Sequence, residues 1–168
     1  SNDANRHEKA DLLMALADRI GRREPISQLW LIEKSAAAGD VPGTLRHYNR
    51  ILSTKPELNA TLFPVLAAAI DFPEVRQAIV PYLRDQRPWV RDFVTFAASN
   101  SKVDSIAELL GSSMSSIRGE GYVGAKSEVI YRLTEAGRAD EALEFARKAY
   151  PDLDLAGFSS LSISPATI

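Results

Sequence analysis

The stretch Leu29–Pro56 most constrains the fold, because it predicts two helices separated by a two-residue break. Good helix formers fill residues 28–38, and Gly39 then ends the first helix, since glycine adopts the left-handed conformation of a helix C-terminus without a Cβ clash. Asp40 is placed to cap the next helix, and Pro42 falls in its first turn, where a missing N–H costs nothing. Apolar residues at three- and four-residue spacing follow along that helix: Val41, Leu45, Tyr48, Ile51 and Leu52. The stretch therefore predicts a helical hairpin.

This hairpin resembles the tetratricopeptide repeat, and six features carry the likeness: Leu31, the Gly39-Asp40 turn, Thr44, Tyr48, Leu52 and Pro56. The first helix departs from the family pattern, because Gln28 stands at the family's tryptophan position and Ile32 replaces a small residue. The resemblance implies an all-α fold without a sheet, in which hairpins stack into an irregular α–α superhelix.

Weaker copies of the hairpin follow along the chain. A shift by the family period of about 34 residues brings Tyr48 onto Tyr82, although the turn glycine falls on Pro73. The segment Glu135–Asp152 repeats the pattern more clearly, with Gly137 at its turn. The region between these copies predicts shorter helices, at residues 89–98 and 104–110, followed by a loop at residues 112–124. We therefore expect the array to be irregular in its middle.

The chain divides into two predicted parts. Residues 1–150 are expected to form a tetratricopeptide-like α-solenoid, and residues 151–168 a tail that packs on the last hairpin or leads to a further domain. The predicted first helix, Ala4–Ile20, has the phase of a second helix in a hairpin. Because a solenoid cut at that point would expose apolar surface, we expect the sequence to be a fragment of a longer array.

Catalytic and cofactor chemistry finds little support in the sequence. Gly119, Gly121 and Gly124 fit a dinucleotide-binding spacing, but no hydrophobic strand precedes them, so an inter-hairpin loop is favoured. His47 has cationic neighbours, no nearby carboxylate, and no second histidine at metal-ligand spacing. There is no cysteine. We therefore expect a protein that is not an enzyme and holds neither a cofactor nor a metal.

The net charge and the length of the apolar runs indicate whether the chain is suited to bind nucleic acid or to cross a membrane. A net charge of −2 offers no attraction to nucleic acid, for which Arg46, Arg50 and Arg84 are the best available residues. The longest apolar run, Leu62–Ile70, is interrupted by Pro64 and is far shorter than a membrane span. We expect no nucleic-acid partner and no membrane span in this chain, while the cellular compartment stays open.

The resemblance to tetratricopeptide repeats implies a concave groove lined by the first helix of each hairpin. Carried over by position, the groove residues are Leu29, Glu33, Ala36 and Ala37, then Phe63, Ala67 and Ile70, and finally Ser127, Tyr131 and Thr134. Among them, Leu29, Glu33, Ala36, Phe63 and Tyr131 are the predicted peptide- or protein-binding residues. The alternative is that some of them, above all Phe63 and Ile70, belong to the core or contact other parts of the native protein.

The favoured function is a non-enzymatic interaction scaffold that binds a peptide or helix in this apolar groove. The ligand would be a partner protein or another part of the full-length chain. The alternative function is a helical accessory region of a larger enzyme, such as a glycosyltransferase, whose catalytic part lies outside this sequence. A nucleic-acid-binding repeat is the third hypothesis.

Overall fold

A computed structural model of the chain describes residues 3–9, 12, 23–113 and 121–152. Within these ranges the chain is helical and contains no β-strand, which confirms the predicted all-α class. Residues 3–9 are helical. The further helices are α1 (Arg23–Ala37), α2 (Val41–Thr54), α3 (Asn59–Ala69), α4 (Pro73–Arg84), α5 (Pro88–Asn100), α6 (Val103–Ser113), α7 (Val123–Glu135) and α8 (Ala139–Ala149), with a short 3₁₀ helix at Pro56–Leu58.

The turn chemistry of the first hairpin is as predicted. Gly39 has a φ angle of +73°, in the left-handed region, and Gly137 repeats it with +74° at the turn of the last hairpin. The Asp40 side chain accepts a hydrogen bond from the backbone N–H of Gly43 at 3.0 Å, and Pro42 lies in the first turn of α2. Local sequence signals therefore fix both hairpin turns.

Alternate helices stack in two layers. In the odd-numbered layer α3 packs against α5 and α5 against α7, while in the even-numbered layer α2, α4, α6 and α8 pack in succession. The two layers are joined by close contacts between α1 and α2 and between α7 and α8. Helices α1 and α3 make few contacts with each other, and so do α3 and α4. The odd-numbered layer is therefore interrupted between α1 and α3.

The middle of the chain differs from the prediction. Helices α5 and α6 contain 13 and 11 residues, within the range of 11 to 15 residues of the other numbered helices, and they follow α1–α2 and α3–α4 as the third of four successive helix pairs in the described chain. The predicted loop at residues 112–124 is also too long, because α6 includes Ser112 and Ser113 and α7 begins at Val123. Its residues 114–120 lie outside the described part, as do 153–168 of the predicted tail and, of the predicted first helix, residues 10, 11 and 13–20.

A continuous apolar core runs between the two layers, and its centre is on α5, where Val90, Phe93 and Val94 have no exposed surface. The rings of Phe63 and Phe93 meet edge to face, with centroids 5.6 Å apart. This aromatic pair fixes α3 against α5, because such contacts add to the free energy gained by burial alone.

Polar contacts between successive helix pairs recur at a spacing of 34 residues. The four are Ser101 Oγ to the Ala67 carbonyl (3.2 Å), Ser105 Oγ to the Asp71 carboxylate (2.6 Å), the Arg132 guanidinium to the Ala98 carbonyl (2.6 Å) and the Arg138 guanidinium to Asp104 (2.5 Å). The hydrogen bond from Ser105 and the ammonium of Lys102 hold the pKa of Asp71 below its ordinary value. This spacing equals the period of about 34 residues by which the weaker copies of the hairpin are related to the first one. The tetratricopeptide assignment itself stays a prediction.

Candidate functional site

Two of the predicted binding residues are in the core. The side chains of Leu29 and Phe63 are only 7% and 5% exposed, so neither offers a contact surface to a partner. Ala67 and Ile70, assigned to the same face, are buried as well. For Phe63 the reason is the packing of α3 against α5, where its ring contacts both Phe93 and Phe96. For these residues the alternative of core membership is the one that the structure supports.

Other predicted residues lie at an open cavity. Glu33, Ala36 and Ala37 line a groove with a volume of about 610 Å³, bounded by helices α1 to α4. Tyr131 is 59% exposed on α7, outside this lining, and Ser127 and Thr134 are exposed on the same helix. The predicted surface is thus divided into an actual groove at α1 and a separate exposed face on α7.

We call this cavity the α1–α3 groove. Its lining is Ile32, Glu33, Ala36, Ala37, Gly39, Val41, Thr44, Leu45, Tyr48, Val65, Leu66, Ala69, Phe72 and Val75, together with Lys9 from the helical residues 3–9. The lining is mostly apolar, and its volume falls in the range of about 300–1,000 Å³ that is typical of ligand sites.

The groove exists because the odd-numbered layer is open at this point. Small residues, Ala36 and Ala69 among them, line the gap between α1 and α3. Val65 and Phe72 in the lining are 58% and 62% exposed. Large apolar side chains at that exposure, adjoining an apolar cavity, are a feature of interaction sites.

Polar groups in the groove are few. The ammonium of Lys9 lies 3.6 Å from a carboxylate oxygen of Glu33, and the Thr44 hydroxyl donates a hydrogen bond to the Asp40 carbonyl at 2.8 Å. Burial raises the pKa of Tyr48 to about 12, so its hydroxyl stays protonated at neutral pH. Within the part of the chain that the structure describes, this hydroxyl has no hydrogen-bond partner. Tyr48 therefore provides a hydrogen-bond donor in an apolar wall.

Sequence reasoning missed two of the most exposed groove residues, Val65 and Phe72. Phe72 has an extended backbone, with φ −87° and ψ 126°, because the next residue is Pro73 and a proline disfavours the helical conformation before it. Phe72 consequently does not belong to the apolar stripe of either flanking helix, and the helical periodicity does not indicate where its side chain lies. The Phe-Pro pair at a helix break was the signal that could have revealed this residue.

The other candidate residues of the sequence have ordinary structural surroundings. Gly121 precedes α7 and Gly124 lies in its first turn, while Gly119 lies outside the described residues. His47 is half-buried, and its Nδ1 lies 3.3 Å from the side-chain oxygen of Gln28. No group of three or more metal-ligating side chains occurs in residues 3–9, 12, 23–113 and 121–152. The same residues contain no helix that is both long and apolar enough to cross a membrane.

A second cavity of about 590 Å³ lies between α6 and α8 and is acidic. Its carboxylates each contact a cation: Asp104 and Glu141 contact Arg138, Glu108 contacts Arg76, and Glu144 contacts Lys148. These pairs satisfy the charges locally and make this cavity a weaker candidate than the α1–α3 groove.

Comparisons of the chain with protein-family models, with curated proteins and with solved structures found no match.

Proposed function

We propose that this protein is a non-enzymatic interaction scaffold that binds an apolar polypeptide segment in the α1–α3 groove. The segment belongs to a partner protein or to another part of the full-length chain. The observation that carries the proposal is the open apolar groove itself, at the one place where successive odd-numbered helices of the described chain do not pack together.

The energetics favour an occupant. Val65 and Phe72 expose most of their side chains next to the apolar groove, and burial of such surface is favourable by roughly 25 cal/mol per Å². The remaining lining, including Ala36 and Ala69, offers little polar surface that would have to lose water. The tetratricopeptide-like arrangement predicted from the sequence supports the same proposal, because such arrays bind peptides and helices.

The test is a capture experiment with matched variants. Val65→Glu places a charge in the groove, and since this side chain is 58% exposed, folding should be unaffected. Trp30→Glu is the control, because Trp30 is 53% exposed and does not line the groove. Tyr131→Glu tests the separate face on α7. The captured proteins are identified by mass spectrometry, purified and measured for direct binding.

We expect at least one partner that the wild type and Trp30→Glu bind and Val65→Glu does not. If Val65→Glu retains every partner of the wild type, the groove is not the binding site. A partner lost only with Tyr131→Glu would move the site to α7 and contradict the proposal.

A further inference from the structure

The walls of the α1–α3 groove bear on the conformation of its occupant. They are α-helices, whose backbone groups are hydrogen-bonded within each helix, and the polar side chains in the lining are few. An extended segment lying in this groove would bury amide groups without partners, at a cost of about 1–3 kcal/mol each. A helix satisfies its own backbone hydrogen bonds and buries only side chains.

The dimensions agree with a helix of limited contact length. Lining residues on α1 extend from Ile32 to Ala37, which is about two helical turns. Ala36 and Ala69 on the two walls carry only methyl groups, so a helix backbone can come close to both α1 and α3. The occupant then fills the position where α1 and α3 would otherwise touch, as α3 and α5 do.

The charges bear on the sequence of that helix. Lys9 and Glu33 are the charged residues among the described lining. Their separation of 3.6 Å is longer than a hydrogen bond, and the Lys9 side chain is 56% exposed, so the pair is weakly held. A cation on an incoming helix can replace Lys9 beside the half-buried carboxylate, whereas an acidic residue there would be repelled.

We infer that the occupant of the α1–α3 groove is a short amphipathic helix of a partner protein, with an apolar stripe and a lysine or arginine that pairs with Glu33 in place of Lys9. This inference rests on the proposed function. The apolar stripe contacts Val65 and Phe72, and the basic residue fixes the direction in which the helix lies.

Three designed peptides of about 18 residues, or five turns, test the inference by fluorescence anisotropy at low ionic strength. The first has leucines at positions i, i+3, i+4 and i+7 and a lysine one turn beyond them. The second has glutamine in place of that lysine. The third keeps the composition of the first but has prolines at two central polar positions, which break the helix.

We expect the lysine peptide to bind about two- to fivefold more tightly than the glutamine peptide, as for a partly exposed ion pair. This preference should vanish in Glu33→Gln and persist in Glu135→Gln, which removes an exposed carboxylate on α7. Lys9→Ala should strengthen binding of the lysine peptide, because a competing cation is gone. The proline peptide should bind at least about tenfold more weakly than the first.

Equal binding of the lysine and glutamine peptides, or of the helical and proline peptides, would overturn the inference and leave the proposed function standing. If Val65→Glu binds the lysine peptide as tightly as the wild type does, that peptide lies elsewhere and the inference also fails. If none of the three peptides binds, the inference fails, while the proposed function is decided by the capture experiment with Val65→Glu.

Discussion

The hydrogen bond between Trp89 and Asn49 should couple the first helix pair to the rest of the protein. The indole N–H of Trp89 on α5 donates to the side-chain oxygen of Asn49 on α2 at 3.0 Å. Trp89 is 3% exposed and also contacts the rings of Tyr82 and Phe93. It therefore connects α2 to the centre of the core.

The structure allows the effect of Trp89→Phe to be estimated. Loss of the hydrogen bond costs about 0.5–1.5 kcal/mol, toward the lower end because Asn49 is half-buried and water can replace the donor. The missing second ring leaves a small cavity, which adds about 1 kcal/mol. We expect the free energy of unfolding to fall by about 1.5–2.5 kcal/mol in total. At roughly 2–4 °C per kcal/mol for a chain of this size, Tm falls by about 3–10 °C.

A double-mutant cycle measured by urea denaturation isolates the contact. Trp89→Phe, Asn49→Ala and the double variant should show a coupling energy of about 0.5–1.5 kcal/mol. Trp30→Phe is the matched control, because its indole is 53% exposed and the substitution should change stability by less than about 0.5 kcal/mol. Additivity of the two single variants to within about 0.3 kcal/mol would refute the reasoning.

Three further predictions concern stability. Gly39→Ala and Gly137→Ala should each lower the free energy of unfolding by about 1–2 kcal/mol, because both glycines have a positive φ angle that alanine disfavours. Gly111→Ala should raise the free energy of unfolding by up to about 1 kcal/mol, because this glycine lies inside α6 with open space around it. Urea denaturation measures both changes. Lys126→Met should stabilise by about 1 kcal/mol at pH 7, because burial lowers the pKa of Lys126 and disfavours its charged form. The unfolded lysine has the higher pKa, so wild-type stability rises as pH passes from the folded pKa to about 10.5. The advantage of Met should shrink over that interval, and a constant advantage would contradict the explanation. Arg132→Met should lower the free energy of unfolding by about 2–3 kcal/mol, because the guanidinium donates hydrogen bonds to the carbonyls of Ala98 and Ser101 near the end of α5. An unchanged urea midpoint would contradict this expectation.

The first hairpin could be predicted from the sequence because its signals are local. Gly39, Asp40 and Pro42 each specify a backbone conformation or a cap that needs no knowledge of distant residues. The same holds for Gly137 in the last hairpin. Local turn chemistry therefore placed two helix pairs at the correct positions.

The length of α6 was misjudged for a physical reason. Gly111 was interpreted as the end of the helix and the serines that follow as a loop, but the helix continues to Ser113. The Ser112 hydroxyl donates to the Glu108 carbonyl at 2.8 Å, and the Ser113 hydroxyl donates to the Leu109 carbonyl at 2.7 Å. These contacts within the last turn occupy the hydroxyls that would otherwise compete with the helix, so serine is tolerated at this helix end.

The binding residues on α3 could not be assigned because this helix has no polar face. Its sequence, NATLFPVLAAA, is apolar on every side after the first turn, so periodicity cannot indicate which side faces the groove. The structure turns Phe63 toward α5 and Val65 toward the groove. That choice depends on the aromatic partners on α5, which are distant in sequence.

The position of the groove follows from the contacts that join successive helix pairs. The carbonyl of Ala67 and the carboxylate of Asp71 on the second pair accept hydrogen bonds from serines 34 residues later, on the third pair. One period of 34 residues earlier, Glu33 and Ala37 occupy the corresponding positions on the first pair. At that junction the donor positions are held by Ala67, whose methyl group cannot donate, and by Asp71, whose carboxylate only accepts.

The first helix pair, α1–α2, is consequently attached to the second pair, α3–α4, through the even-numbered layer only. Packing of α2 against α4 and the Trp89–Asn49 hydrogen bond join the even-numbered layer to the core, while α1 and α3 stay apart. An occupant can therefore enter between α1 and α3 without separating helices that pack against each other, and it would cover buried residues such as Leu45, Tyr48 and Leu66 that line the opening. At this junction Ala37 stands where the next junction has Asp71, and its methyl group lines the opening together with those of Ala36 and Ala69, so the junction that lacks the polar contacts is also the one with an apolar groove.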